Sequence, residues 1–247
     1  MRLLKLYLVG LSPLIIAVFS LYQFGHASRP LRLPANSVQS PAELITEEPS
    51  RRLHPSSTVA SDVATQRYRL DASQSKFIAH AMAGGLLWFK GNDHLVAVKE
   101  FTGEAQFTPD SITPASLEIT ARADSMVETS SVFTDQQKQI IDKELREIVL
   151  EPAKYPDIIF RSASVTGKST GNNQYQLNIT GDLTLHGVTR RITIPTEITL
   201  SGNDLRARGE FSIDRGDFKV KATSAVHGLV RVRDKVKFTF DIVGRRL

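Results

Sequence analysis

From Arg67 to the C-terminus, apolar and polar residues alternate with a period of two, and this pattern constrains the fold more than any other feature of the chain. Successive side chains of an extended strand point to opposite faces, so alternation describes a sheet with one dry face and one wet face. In Gln174–Leu185, Tyr175, Leu177, Ile179, Leu183 and Leu185 share one face, while Gln176, Asn178, Thr180, Asp182 and Thr184 share the other. The dry face comprises Leu117, Ile119 and Ala121 in Ser116–Arg122, and Val188, Ile192, Ile194, Ile198 and Leu200 in Val188–Leu200. Leu205, Ala207, Gly209, Phe211 and Ile213 form it in the next segment, and Val236, Phe238, Phe240 and Ile242 in the last. Further strands are predicted near Arg67–Leu70, Ser75–Met82, His94–Val98 and Phe101–Phe107, for a total of about eight or nine. Short turns at Gly167 through Asn173, His186-Gly187 and Gly202-Asn203-Asp204 force antiparallel neighbours. A twisted sheet of this size curls or closes, and closure removes its open edges.

One segment has a different period. Thr134 is placed to cap a helix, and Gln137 three residues later completes a capping box. Ile140, Ile141, Leu145, Ile148 and Val149 then recur at helical spacing, with Asp142–Arg146 and Lys143–Glu147 as i,i+4 charge pairs on the outer side. Pro152 ends the run. One amphipathic helix therefore covers the sheet or plugs one end of it, with Ile141 and Leu145 inward.

Residues 1–27 read as an export segment. Arg2 and Lys5 precede an apolar run from Leu6 to Phe24, and Gly25-His26-Ala27 offers small residues at a cleavage position. Two readings stand: a cleaved signal peptide, or a retained single-pass anchor, since 19 residues are just enough to span a bilayer. Either one places the rest of the chain on the extracytoplasmic, periplasmic side. Residues 28–66 read as a disordered linker, with five prolines, ten Ser/Thr, no glycine and no aromatic residue. A tether of that kind favours the anchor, and the folded domain occupies 67–247.

Composition excludes several functions. The absence of cysteine removes disulfides, thiolate metal sites and a cysteine nucleophile. The net charge of +5 is not concentrated: residues 1–66 hold six cations against four anions, and the remainder 25 against 22. Arg231, Arg233, Lys235 and Lys237 are the nearest approach to a basic stripe. They read as the solvated face of a strand rather than a nucleic-acid surface, with weak contact to anionic headgroups as the other reading. His80, His94, His186 and His227 show no metal-ligand spacing. No nucleophile or paired-carboxylate motif is present, so neither cofactor, metal nor catalytic residue is assigned. Strand parity places Phe160, Leu177, Ile179, Ile192, Ile194, Phe211, Phe238 and Phe240 inside the sheet. Trp88 and Phe89, among glycines in an irregular apolar segment, read either as core or as the lip of an entrance.

Five local motifs resemble the YceI-like family of exported, lipocalin-like proteins. They are Tyr68-Arg69-Leu70-Asp71, Ala123-Asp124-Ser125-Met126-Val127-Glu128-Thr129, Tyr155-Pro156-Asp157-Ile158-Ile159-Phe160-Arg161-Ser162, Gly181-Asp182-Leu183-Thr184-Leu185-His186-Gly187-Val188-Thr189 and Ile213-Asp214-Arg215-Gly216-Asp217-Phe218. Gln74 stands where the family usually has histidine, and residues 80–102 follow the pattern poorly. The resemblance implies an eight-stranded antiparallel barrel with one helix, and an apolar cavity for a polyisoprenoid or similar long-chain amphipathic lipid. It implies a carrier or sequestering protein of the cell envelope rather than an enzyme. Two other functions remain open: an enzyme acting on a prenyl or quinone-like substrate in the same cavity, and a tethered structural module with a solid barrel. Nothing in the sequence sets the oligomeric state.

The linker composition makes a direct prediction. Brief proteolysis of the full chain should cut within 28–66 and leave a core beginning near Arg67. Cleavage inside the barrel with the linker still intact would contradict it.

Overall fold

The computed structural model describes residues 64–225 and 229–247. The predicted export segment, nearly all of the predicted linker, and His227 lie outside them. Eleven strands and one α-helix follow in order: β1 (Gln66–Gly84), β2 (His94–Val98), β3 (Phe101–Thr108), β4 (Ile112–Arg122), β5 (Met126–Glu128), α1 (Asp135–Glu144), β6 (Asp157–Gly171), β7 (Gln174–Leu185), β8 (Val188–Ser201), β9 (Asp204–Asp214), β10 (Ser224–Ala225) and β11 (Val230–Arg246). Eight of them close a barrel in the order β1-β3-β4-β6-β7-β8-β9-β11, with β11 returning to β1. Every pairing is antiparallel.

The alternation of the sequence is the alternation of burial. Along β7, buried Tyr175, Leu177, Ile179, Gly181, Leu183 and Leu185 point inward and the polar residues between them face out. Outer faces are tied by cross-strand polar pairs. Arg191 grips Asp182 with two nitrogens, and Asp241 accepts from both Arg206 and Arg208. Thr180 meets Thr193 at 2.9 Å, and Thr184 meets Thr189 at 2.8 Å. At Gly187 a Cβ would lie 2.6 Å from the Tyr155 ring, and the backbone there has φ +73°. With His186 at φ 51°, the β7–β8 turn has positive φ at both central positions, the geometry that suits a twisted hairpin.

Three elements differ from the sequence reading. The strands expected at Arg67–Leu70 and Ser75–Met82 are one strand, β1, which already begins at Gln66, paired with Phe107. The polar run between them is a bulge. Asp71 accepts from the Ser73 amide and hydroxyl, and Ser75 donates to the Asp71 carbonyl, so local bonds replace ladder bonds without ending the strand. Likewise Gly167 through Gly171 is strand paired to β7, and the turn proper lies at Asn172-Asn173. Finally, β2 and β5 form a short flap beside the end of β1, outside the closed ring.

The helix caps one end of the barrel. Its capping box is formed: the Gln137 amide donates to the Thr134 hydroxyl at 3.3 Å, and the Thr134 amide donates to the Gln137 side chain at 2.9 Å. The α-helix ends at Glu144, and one π turn, Leu145–Val149, completes it. Ile141, Leu145 and Val149 face the barrel interior. Ile140 and Ile148 are 56% and 40% exposed, so the inward stripe is narrower than the sequence indicates. Lys143 pairs with Glu147 at 3.9 Å, but Asp142 turns to accept the Glu128 amide at 2.7 Å and anchors the helix to β5. No helix among the described residues is long and apolar enough to cross a membrane.

Leu145→Asp should therefore lower unfolding stability by about 3 kcal/mol, because it forces a charge into an apolar contact. Ile140→Asp, five residues earlier but exposed, should stay within about 0.5 kcal/mol of the parent. Urea unfolding of the two variants checks this, and equal effects would mean that the helix is not docked.

Candidate ligand-binding cavity

The eight strands of the ring all run between the same two ends. At one end β1, β7 and β9 begin. Here Tyr68 is fully buried and Phe107 meets Tyr175 edge-on with centroids 4.8 Å apart, so packed aromatic rings narrow the interior, while the β4–β6 ladder stops at Glu118 and Arg161 and exposed Gln106 and Ser116 reach the cavity. Burial pushes the Tyr68 phenol above its ordinary pKa. At the other end lie α1, the β7–β8 turn and the segment between β9 and β10.

Between the ends is an apolar cavity of about 260 Å³. Engineered cavities of roughly 150 Å³ with similar linings stay dry and accept an apolar ligand. Phe160, Leu177, Ile179, Ile192, Ile194, Phe211, Phe238 and Phe240 all line the cavity, as do Ile141, Leu145 and Val149 from the helical segment. Phe211 stacks on Phe238 at 5.0 Å and 10°, and Phe77 meets Phe238 and Phe240 at 6.1 and 6.4 Å. This aromatic wall spans β1, β11 and β9. At Gly209 a Cβ would lie 2.3 Å from the Pro195 carbonyl oxygen and 2.6 Å from the tip of the Phe240 ring, so the ring rests against bare backbone. Enlarging Gly209 would disturb a strand as well as fill the tube.

The ionisable residues of the lining are distributed unevenly. His94, Glu144, Arg215 and Lys221 all lie at the helix end. Gln106 and Ser116, at the opposite end, and Thr196, midway, are uncharged, and the Thr196 hydroxyl donates to the Ile194 carbonyl. His94 Nδ1 lies 2.8 Å from Glu128 Oε2, and its ring stacks on Phe133 at 5.1 Å. The Glu128 side chain is fully buried and also accepts the Leu95 and Ser130 amides, at 3.1 and 2.7 Å. Burial pushes the Glu128 carboxyl up, but the bonds from His94, Ser130 and Leu95 outweigh it and hold the pKa below the usual range. His186 Nε2 lies 2.8 Å from Glu151, whose pKa that bond lowers, and the Tyr155 ring packs beside the imidazole at 4.2 Å. Arg215 donates from one terminal nitrogen to the Val220 carbonyl at 2.8 Å and from the other to Asp234. Its Nε is buried and has no hydrogen-bond partner among the described residues.

Trp88 and Phe89 are not part of the cavity lining. They sit in a 3₁₀ turn, Trp88–Lys90, 55% and 63% exposed, edge-on to each other at 6.4 Å. They are not core. The sequence reading assigned no role to Glu128, Glu151 or Arg215. Glu128 and Glu151 act through partners distant along the chain, 34 and 35 residues away, and Arg215 is singled out by the burial of its Nε, so only the folded topology reveals them. Among the described residues, no group of three or more His, Asp or Glu side chains is placed to hold a metal ion.

The lowered Glu128 pKa fixes the sign of a pH dependence. A carboxyl whose folded pKa lies below its unfolded value stabilises the fold above the ordinary carboxylate range, and that share is lost as pH falls through the folded pKa. Glu128→Ala should cost about 3 kcal/mol at neutral pH by orphaning two amides and His94. It should also flatten the fall of stability towards acid. Urea midpoints of parent and variant across pH check this, and parallel curves would refute it.

Comparison with known proteins gives a consistent answer. The family model of the YceI-like domain matches residues 68–244. Protein YceI of Escherichia coli O157:H7 is 34% identical over 149 residues, 60% of this chain and 67% of that protein. A UPF0312 protein of Vibrio parahaemolyticus is 33% identical over 105 residues, 42% of this chain, and the match spans only 49% of the Vibrio protein. Two solved structures share the fold. BcnA of Burkholderia cenocepacia is 22% identical with a TM-score of 0.55, covering 70% of this chain and 98% of that one. A polyisoprenoid binding domain from Saccharophagus degradans is 13% identical with a TM-score of 0.51, covering 73% and 98%.

Proposed function

The chain belongs to the YceI-like domain family, and from that membership and the cavity together we propose that it holds a polyisoprenoid, or a similar long-chain amphipathic lipid, with the tail inside the barrel. The observation that carries the reading is the gradient along the tube. Apolar side chains line its length, and every ionisable lining residue lies at the helix end. A molecule with a long apolar tail and one polar head matches that gradient. The binding ascribed to the Saccharophagus domain of like fold supports it.

Affinity on this reading comes from apolar area removed from water, about 25 cal/mol per Å² before the costs of association. The head points to Arg215. An unpartnered buried N–H is costly, and an ester, carbonyl or phosphate oxygen of the lipid head would satisfy it. The lining offers no pair of facing acid and base groups along the tail, which favours holding over turnover. In the cell envelope the domain would carry or sequester its lipid on the extracytoplasmic side, with residues 1–27 as anchor or cleaved leader.

Native mass spectrometry of gently purified protein tests the reading by counting lipid per folded molecule. The parent should retain a lipid. Ala207→Phe, which adds bulk to the cavity wall, should lose most of it, and Arg215→Met should weaken retention at least tenfold while Arg215→Lys restores part. A parent that never carries lipid, even after incubation with isoprenoid-loaded vesicles, would identify a solid barrel and end the proposal.

A further inference from the structure

Two features set apart in the sequence meet in the fold. Leu86, Trp88 and Phe89 lie between β1 and β2, and Arg231 and Arg233 lie in β11, far along the chain. The Leu87 amide donates to the Leu229 carbonyl at 2.9 Å, and a Cβ on Gly85 would lie 3.5 Å from the Arg231 side chain. Arg233 Nε donates to the Ala83 carbonyl at 2.9 Å. The result is one surface patch. Leu86 is 77% exposed and Leu229 40%, beside the exposed Trp88 and Phe89.

The patch adjoins the end of the tube that carries the ionisable residues. Ala83 pairs with Val232, and Val232 and Ala81 line the cavity. Around the apolar side chains stand Lys90, Arg231 and Arg233. The nearby anions are committed elsewhere: Asp93 accepts the Ala83 amide at 2.8 Å, and Asp234 is taken by Arg215. Exposed tryptophan, phenylalanine and leucine ringed by cations match the interface of an anionic bilayer. Aromatic rings settle at headgroup depth there, and Lys and Arg reach the phosphates.

We propose that Leu86, Trp88, Phe89 and Leu229, with Lys90 and Arg231, form a docking surface for anionic phospholipid membrane and bring the tube's polar end against the bilayer. The purpose of docking rests on the lipid-holding reading, whereas the surface itself does not. Charge complementarity selects a membrane over a protein partner, because an apolar patch ringed by one sign of free charge is poorly suited to a second copy of itself.

The chain has a single tryptophan, Trp88, so its fluorescence reports this patch alone, even with the full N-terminal segment present. Full-length protein would be mixed with phosphatidylglycerol-rich vesicles and with pure phosphatidylcholine vesicles. On the anionic vesicles Trp88 emission should shift to the blue, and quenching by aqueous iodide should fall severalfold. Lipids brominated high in the acyl chain should quench it. Lys90→Glu with Arg231→Glu, both exposed and outside the cavity wall, should abolish the shift without altering unfolding stability. Phe89→Ser should weaken it. An absent shift, an equal shift on neutral vesicles, or a shift that follows protein concentration without vesicles would each overturn the proposal, the last in favour of self-association. Lipid content measured by mass spectrometry on the same samples separates failure of docking from failure of lipid holding.

Discussion

The ladder between the first and last strands is the contact on which the rest depends. Between Tyr68 and Gly84, β1 pairs with β11 almost end to end, and its other edge is shared by β3 near its start and β2 near its end. Without that closure the molecule would be an open sheet with two long unpaired edges and a bare apolar face. With it, the inward residues of all eight strands meet one another instead of water. It is also the contact of greatest sequence separation, so the ring cannot close until nearly the whole domain is available.

Closure explains how a lining this apolar coexists with a stable fold. The eight-strand ring leaves an interior about wide enough for side chains to fill, or for one small ligand. Here the ends and the middle are filled differently. Tyr68, Phe107 and Tyr175 fill one end, and α1 with its π turn covers the other. In the middle, glycines such as Gly209 and Gly181 let the tips of the Phe240 and Phe160 rings rest against bare backbone of the wall.

Much of this was legible in the sequence, because the periodicity that encodes a strand also encodes which face is dry. The barrel, the capping box at Thr134 and the eight cavity-lining side chains from Phe160 to Phe240 follow from parity and local motifs. What parity cannot convey is how far a strand runs through polar residues. The stretch from Asp71 to Ser75 bonds to itself as a turn would, yet it stays in the ladder. Nor can it pair residues whose meeting depends on topology. His94 finds Glu128 only because β2 and β5 lie side by side, and Arg215 shows its unpartnered nitrogen only once the β9–β10 segment folds over the rim. The apolar segment around Trp88 was visible as an anomaly, but its neighbours in β11 were not.

The tie between helix and flap has a mechanical consequence. Asp142 of α1 accepts the Glu128 amide of β5, and the Glu128 carboxylate accepts the Leu95 amide of β2. One residue thus joins the cap to both strands of the flap. Displacing the helix must either break the Asp142 bond or carry β5 with it. Access at that end of the barrel is therefore coupled to the ladder between β2 and β5.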